Sequence, residues 1–194
     1  KLFIDLPDRV RRFHKRPTPL TGGLGIFISL LVSGKLYIDL NNMGGYMPDF
    51  TYQIIVISIP LMCLFLLDDI KGLKPSHRLI AQALACIYVI STTGIYLENL
   101  GDLFGTGAVR LGIFSMPFTV FCVVGVMNAF NMIDGINGLC AGCAMLALLL
   151  IGFYSGLIYD SMLILLIGSM IGFLLFNLRI FGKKRGVFLG DHGS

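Results

Sequence analysis

Charge is scarce in this sequence. Charged residues make up 13% of its 194 positions and hydrophobic residues 56%, and the mean hydropathy is +0.84. Soluble domains typically carry about 25% charged residues, so this composition excludes an ordinary soluble globular protein. The chain also lacks an internal repeat and a low-complexity tract. We therefore place it among the membrane proteins.

The patterns of a zinc or thiol-redox centre are missing as well. The five cysteines fall in or beside apolar segments, and Cys140 and Cys143 form a single C-x-x-C pair. A zinc or redox site would need a second pair or a soluble βαβ context, and the sequence has neither. His77 has no second histidine at helical spacing. We interpret the cysteines as small helix-packing residues.

Apolar segments of about 20 residues, the length that an α-helix needs to cross a bilayer, recur along the chain. Because lipid offers no partner for backbone polar groups, such segments must be helical. The second predicted segment is short, and Pro60 interrupts it. The sequence predicts an all-α polytopic membrane protein with six transmembrane helices, at residues 20–38, 51–67, 78–97, 111–130, 139–159 and 162–181.

The basic residues are distributed unevenly between the two sides that these helices define. If the first residues lie inside, the inside connections are 1–19, 68–78, 128–138 and 179–194. They hold thirteen of the fifteen Lys and Arg residues, and only Lys35 and Arg110 lie outside. Cytoplasmic loops carry an excess of Lys and Arg, so we predict that these connections face the cytoplasm.

Both ends of the sequence fall at motifs. The chain begins with a basic loop and stops at GVFLGDHGS. We interpret residues 1–194 as a single transmembrane catalytic domain that is a fragment of a larger membrane protein, and we expect the fragment alone to be inactive.

Four aspartates lie at the ends of predicted spans, and helix counting places all four on the inside face: Asp68, Asp69, Asp134 and Asp191. A charged side chain at the bilayer centre costs about 2.5–3.5 kcal/mol on insertion scales, so acids near hydrocarbon indicate function. Two adjacent carboxylates both ionise readily only near a cation or water. Mg²⁺ binds one or two carboxylates together with substrate phosphates. We favour a shared cation and a phosphate-bearing substrate; a solvated helix end is the plain alternative.

The segment NAFNMIDGINGL at 128–139 is the most specific motif. It contains no Lys or Arg, yet it carries polar side chains three residues apart, at Asn128, Asn131, Asp134 and Asn137. On a helix these positions advance by 300° per step and drift slowly around one face. Asparagine side chains can join membrane helices by hydrogen bonds, which is the alternative to a ligand site.

Two further motifs are suited to phosphate chemistry. Lys15 and Arg16 precede Pro17-Thr18-Pro19, whose prolines keep the chain out of a helix through Pro19. The two basic residues could fix a phosphate there, or serve as a positive-inside anchor. Gly22 and Gly23 follow, and they either allow close backbone approach or simply open the helix.

The second of these motifs is VFLGDHGS at 187–194. Gly190 and Gly193 flank Asp191, so that backbone amides and one carboxylate are presented together, which suits a cation that bridges a diphosphate. Phe188 could stack on a flat ring.

The motifs KRPTPLTGG, LLDDIKGLKPSHRLIAQ, NAFNMIDGINGL and VFLGDHGS, in this order, resemble those of the polyprenyl-phosphate N-acetylhexosamine-1-phosphate transferases. The resemblance spans the whole chain and is greatest to the bacterial branch that uses undecaprenyl phosphate. It implies a fold of ten or eleven transmembrane helices with a cytoplasmic Mg²⁺ site. The first helix, about three C-terminal helices and a histidine-rich cytoplasmic loop would lie outside the fragment.

The resemblance also implies a role for each matching residue in catalysis. Asp191 matches the main Mg²⁺ ligand and Asn131 a second ligand, with Mn²⁺ as an alternative metal. Asp68 and Asp69 match paired aspartates that turnover requires, and Asp134 matches another essential acid.

The remaining matches are implied substrate-binding residues. Lys15 and Arg78 match basic positions that meet phosphates. Phe188 matches an aromatic residue that packs on uracil. Asn177 matches an asparagine near the nucleotide, and Asn128 and Asn137 match residues that line the same pocket.

The chain departs from the family pattern at three positions. Gly72 stands where many relatives have a third aspartate, which weakens a cluster of three carboxylates. Asn137 replaces an aspartate common in the bacterial branch, and His192 replaces a small residue. The implied metal ligands are intact.

The implied reaction moves a sugar-1-phosphate, with N-acetylglucosamine as the expected sugar, from a UDP-sugar to undecaprenyl phosphate and releases UMP. It would be the first membrane step of O-antigen or related envelope polysaccharide synthesis, at the cytoplasmic face of the bacterial inner membrane. The expected partners are the two substrates and the lipid bilayer. No nucleic acid is expected. The sequence leaves open whether the protein forms a homodimer. It also leaves open whether the reaction runs in one step or through an aspartyl-phosphate.

Rival functions fit the sequence less well. The phospho-N-acetylmuramoyl-pentapeptide transferases of peptidoglycan synthesis are a more distant match. An aspartate-rich prenyltransferase would need D-x-x-x-D motifs, and Gly72 breaks the first; a CDP-alcohol phosphotransferase would need four acids in one short run. A cation transporter predicts carboxylates in mid-span, whereas these lie at span ends.

Overall fold

The computed structural model describes residues 4–5, 18–40, 49–72, 74–182, 186–190 and 193. Helices dominate this part of the chain. They are α1 (Gly22–Leu40), α2 (Asp49–Lys71), α3 (Pro75–Thr93), α4 (Ser115–Ile133), α5 (Leu139–Tyr154) and α6 (Ser161–Asn177). A short antiparallel pair, β1 (Ile4–Asp5) and β2 (Thr18–Pro19), precedes them, and a 3-10 turn (Gly112–Phe114) precedes α4.

Each of the six helices overlaps one predicted apolar segment. The second is longer than predicted, because α2 continues through Pro60 and includes the polar residues up to Lys71. By length and composition, two stretches can cross a membrane, Gly22–Leu40 and Gly112–Ile133. Three further apolar helical stretches in the described chain are shorter. The structure therefore supports an all-α membrane protein, and the count of six spans remains a prediction.

Local sequence signals set several helix ends. Pro75 occupies the first turn of α3, where its missing N–H costs nothing. The same helix ends at Gly94, which is left-handed (φ 68°) and donates its N–H to the Ile90 carbonyl at 2.8 Å. At the start of α6, the Asp160 carboxylate accepts a hydrogen bond from the Leu163 N–H at 3.0 Å.

Neighbouring helices in the bundle pack in the order α2, α3, α4, α5, α6, α1. The apolar core is small and lies between α5, α6 and the segment 186–190, where it comprises Cys140, Ala141, Met170, Phe173 and Leu189. Many large apolar side chains point outward instead, among them Val32, Phe121, Leu150 and Phe153. Soluble monomers rarely expose so much contiguous apolar surface, whereas lipid would cover it.

The start of α1 docks closely on the segment 186–190. The Gly22 and Gly23 N–H groups donate to the Phe188 and Leu189 carbonyls, both at 2.9 Å, and the Phe188 N–H donates to the Pro19 carbonyl at 2.9 Å. A Cβ on Gly22 would lie 2.7 Å from the Phe188 oxygen and 2.9 Å from the Leu189 Cα, and it would also overlap the Phe173 ring. Gly22 therefore both opens the helix and allows a close backbone approach.

We predict that Gly22→Ala destabilises the protein by about 1–3 kcal/mol, the usual cost of overpacking a filled site. Gly25→Ala, one turn later in α1, is the matched control, because a Cβ there meets no atom within 4 Å. Thermal unfolding in detergent should show a lower Tm for the first variant and an unchanged or higher Tm for the second. Equal Tm values for the two variants would contradict the tight docking.

Candidate functional site

A buried ion pair joins the end of α2 to the start of α3. The Arg78 Nη1 lies 3.1 Å from the Asp68 Oδ2, and the two side chains are 19% and 4% exposed. The connection between them is short because Gly72 adopts a left-handed conformation (φ 64°) and donates its N–H to the Asp68 carbonyl at 2.7 Å. The backbone conformation at position 72 therefore favours glycine.

The Arg78 guanidinium also makes a cation–π contact with the Phe65 ring. The carbon at the centre of the Arg78 guanidinium lies 5.7 Å from the centroid of the Phe65 ring. Such a cation–π contact contributes about 0.5–2 kcal/mol, with the larger values at desolvated sites. Phe65 is buried and lies one turn before Asp68 on α2. Together the carboxylate and the ring fix where the cation points.

A cavity of about 270 Å³ opens beside this pair. Small-molecule sites typically measure about 300–1,000 Å³, so this cavity is slightly smaller than that range. Its walls come mainly from the apolar side chains of α1 and α2, while polar side chains enter from α2, α3 and α4. The polar members are Ser58, Arg78, Gln82 and Asn131; the main apolar members are Ile26, Phe27, Leu30, Leu61, Met62 and Phe65.

The polar motif at 128–139 is only partly helical. Helix α4 ends at Ile133, and Asp134 follows it with a non-helical backbone, so the ladder predicted for a continuous helix is broken after its second member. Asn131 lines the cavity, whereas Asn137 is exposed in the turn before α5. Gly138 (φ 79°) completes this turn in a left-handed conformation. Asn137 is therefore not among the residues that line the cavity.

Asn128 makes hydrogen bonds inside the protein. Its Nδ2 donates to the Gln82 Oε1 and to the Val124 carbonyl, each at 2.7 Å. The first bond crosses from α4 to α3, so Asn128 joins helices, as the alternative reading of the motif anticipated. Its predicted substrate contact is not tested.

Asn177 connects two of the predicted motifs. Its Oδ1 accepts the Gly138 N–H at 2.5 Å, and its Nδ2 donates to the Val187 carbonyl at 2.8 Å. The side chain is buried at the end of α6. One amide thus ties the turn after α4 to the segment that carries Phe188. Its predicted place near a nucleotide remains a prediction.

The last motif approaches the cavity through its described residues. Gly193 lines the cavity and donates its N–H to the Gly190 carbonyl at 2.9 Å. Phe188 is half-buried, and its backbone pairs with Leu20, the residue that follows β2. Three predicted site residues, Lys15, Arg16 and Asp191, lie outside the described residues, as does the side chain of Asp69.

The magnesium site is therefore not tested. Among the described residues, no group of three or more His, Cys, Asp or Glu side chains is arranged to hold a metal ion. Asn131, which lines the cavity, carries an amide oxygen of the type that Mg²⁺ prefers, and Gly193, two residues after Asp191, lines the same space. These residues fit a hard cation.

Two residues of the site were not predicted from the sequence. Phe65 resembles any other apolar residue of its span, and no sequence signal distinguishes it. Gln82 carried a usable signal, because it is a polar side chain within an apolar span and lies four residues after Arg78. Positions i and i+4 share one face of a helix.

Comparison with known proteins agrees with the resemblance of the motifs. The family model described as glycosyl transferase family 4 matches residues 23–194. The match covers most of the chain and includes the helical bundle with its cavity. The protein belongs to glycosyl transferase family 4.

Similar proteins come from several bacteria. Proteins named undecaprenyl-phosphate alpha-N-acetylglucosaminyl 1-phosphate transferase are 34% identical in Haemophilus influenzae, 31% in Yersinia pestis and 29% in Escherichia coli K12. Each similarity covers 99% of this chain and 53%, 52% and 51% of the relative, respectively. The chain thus spans about half the length of the curated relatives it matches.

We predict that Asn177→Asp destabilises the protein by about 1–3 kcal/mol, because it keeps the acceptor for Gly138 but replaces the donor to Val187 with an oxygen. Asn99→Asp is the control: the Asn99 Oδ1 accepts a hydrogen bond from the Gly101 N–H at 3.1 Å in an exposed turn, and aspartate keeps that acceptor. Tm values in detergent provide the comparison. An Asn177→Asp protein as stable as the control would show that the amide does not tie the two segments together.

Proposed function

We propose that the complete protein transfers N-acetylglucosamine-1-phosphate from UDP-N-acetylglucosamine to undecaprenyl phosphate and releases UMP. The observation that carries the proposal is similarity over 99% of the chain to transferases of that name. The cavity supports it, because one space presents both a guanidinium and a mostly apolar wall. A phosphate on a lipid chain offers the matching chemistry.

The basic side of the cavity would bind phosphate oxygens. Arg78 presents a planar guanidinium that suits bidentate contacts to phosphate, and Asp68 and Phe65 restrict its orientation. Lys15 and Arg16 are the further cations that we assign to this task. A phosphate monoester has a second pKa of about 6 and is largely dianionic at pH 7. The lipid phosphate is therefore already a competent nucleophile, and Asp68 serves mainly to position charge.

The metal site that we propose uses Asp191 and Asn131 as ligands for Mg²⁺, with Mn²⁺ as a substitute. When bound, the ion supplies a positive charge against the diphosphate of the sugar nucleotide. Asp69 and Asp134 are the remaining acids that we assign to the reaction. The roles of Phe188 and Asn177 beside uracil, and of Asn128 and Asn137 in the same pocket, belong to this proposal.

We also propose that the protein is a multi-pass protein of the bacterial inner membrane with its site on the cytoplasmic face. The support is the distribution of basic residues, most of which fall on the side that carries the four aspartates. In the described chain, Arg78 near the start of α3 and Asn131 near the end of α4 line the cavity. The product would enter envelope polysaccharide synthesis.

The test is UMP release by the complete protein, purified in detergent, from UDP-N-acetylglucosamine and undecaprenyl phosphate. We expect release that requires both substrates, stops with EDTA and returns with Mg²⁺. Asp68→Asn should lower kcat at least tenfold, because the buried guanidinium loses its counter-charge. Asp160→Asn, at the N-terminus of α6, keeps a capping oxygen and should leave kcat unchanged.

Two results would count against this function. Release of UMP only from UDP-N-acetylmuramoyl-pentapeptide would assign the protein to peptidoglycan synthesis. A protein that folds normally but releases no UMP from either donor would refute the transferase assignment altogether.

A further inference from the structure

The Gln82 side chain lies at the boundary between a helix contact and the cavity. It is 3% exposed, and it lines the cavity together with Arg78 and Asn131. Gln82 and Arg78 are four residues apart on α3, so they lie one above the other on the same helix face. A buried glutamine in an apolar span must bond its amide, because an unmet polar group there is costly.

The hydrogen bonds around Gln82 determine which way its amide faces. The Val124 carbonyl can only accept, so the group that Asn128 turns toward it must be the amide nitrogen Nδ2. The same Nδ2 lies 2.7 Å from Gln82, so Gln82 must present its oxygen, Oε1, to Asn128. The Gln82 Nε2, with two N–H groups, therefore points away from α4.

The freed donor faces the cavity. Within the described part of the chain, the Gln82 Nε2 makes no hydrogen bond. Unlike a fully buried unpaired atom, it keeps some access to solvent. The space that it can reach is the cavity that Gln82 lines. Two N–H donors thus open next to the Arg78 guanidinium, which also only donates. Donors grouped in this way favour an anion with several acceptor oxygens.

We propose that Gln82 is a phosphate-binding residue, whose Nε2 donates to a phosphate oxygen that the Arg78 guanidinium also contacts. Asn128 orients the amide for this task, and the Val124 carbonyl orients Asn128. The proposal rests on the transferase function above for the source of the phosphate. That source is either the lipid phosphate or the diphosphate of the sugar nucleotide, and the kinetics distinguish them.

Gln82→Glu removes the donor, and when ionised it also places a negative charge where the phosphate would bind. Glutamate has the same shape and keeps an oxygen that can accept from Asn128, but it replaces the N–H donors with a second oxygen. We expect kcat/KM for UMP release by the complete protein to fall roughly 10- to 100-fold, with Tm close to that of the wild type. A rise in KM for undecaprenyl phosphate assigns the lipid phosphate, and a rise in KM for UDP-N-acetylglucosamine assigns the diphosphate.

Two further variants separate binding from packing. Gln82→Leu removes donor and acceptor together, so it should lower both Tm and kcat/KM. Thr119→Val removes a comparable contact of α4 at the opposite end of the bundle, where the Thr119 Oγ1 accepts the Leu97 N–H at 2.9 Å. It should lower Tm and leave both KM values unchanged.

The proposal is overturned if Gln82→Glu keeps kcat/KM within twofold for both substrates, or if it loses as much Tm as Gln82→Leu, which would indicate a packing role. If the wild type releases no UMP, the transferase function fails, and calorimetric titration with pyrophosphate decides the role of Gln82. If pyrophosphate binds the wild type and binds Gln82→Glu at least tenfold more weakly, the phosphate site is upheld. If pyrophosphate binds both proteins equally, or binds neither, the phosphate site is refuted.

Discussion

The buried ion pair between Asp68 and Arg78 is the contact on which the site depends. It closes the turn between α2 and α3, and it holds a cation at the edge of an apolar cavity. A charge in such a place is costly unless it is paired and bonded. The short turn at Gly72 and the ring of Phe65 keep the guanidinium within reach of its carboxylate and hold it at the edge of the cavity.

Hydrogen bonds of the segment 186–190 connect it to the rest of the site. The segment 186–190 is bonded to the start of α1, and Asn177 bonds it to the turn before α5. Both contacts require small residues: Gly22 admits a backbone that a Cβ would displace, and Gly138 adopts a left-handed turn close to Leu178. The packing of the helices thus brings together motifs that are far apart in the sequence, which is what a site shared between several helices requires.

The sequence predicted the helices well because long apolar segments are visible in hydropathy alone. It located their ends less well. The fifth segment was expected to run through residue 159, but α5 ends at Tyr154, and Gly156 then takes a left-handed turn (φ 73°) inside a still apolar stretch. The second was expected to stop before its aspartates, yet α2 continues to Lys71, because charged residues at a helix end can remain helical.

The site was predictable in its residue types and less so in its contacts. Asp68, Arg78 and Asn131 were identified from the sequence, and the structure brings Arg78 and Asn131 to one cavity. The pairing of Gln82 with Asn128 depends on how α3 packs against α4, which no local pattern encodes. The break in the polar ladder after Asn131 follows from Asp134 leaving the helix, with Gly135 next to it. Spacing by three residues could not reveal that break.

The most direct test of the ion pair is a double-mutant cycle with Asp68→Asn and Arg78→Met, measured as unfolding free energy or Tm in detergent. Arg78→Met leaves the buried Asp68 carboxylate without its counter-charge and should be destabilised by about 3–5 kcal/mol. Asp68→Asn leaves the half-buried Arg78 unpaired and should lose less, and the double variant removes both charges. The account predicts that the double variant loses at least about 1 kcal/mol less than the two single losses combined. Losses that add within about 0.5 kcal/mol would show that the two residues act independently, and would contradict the account.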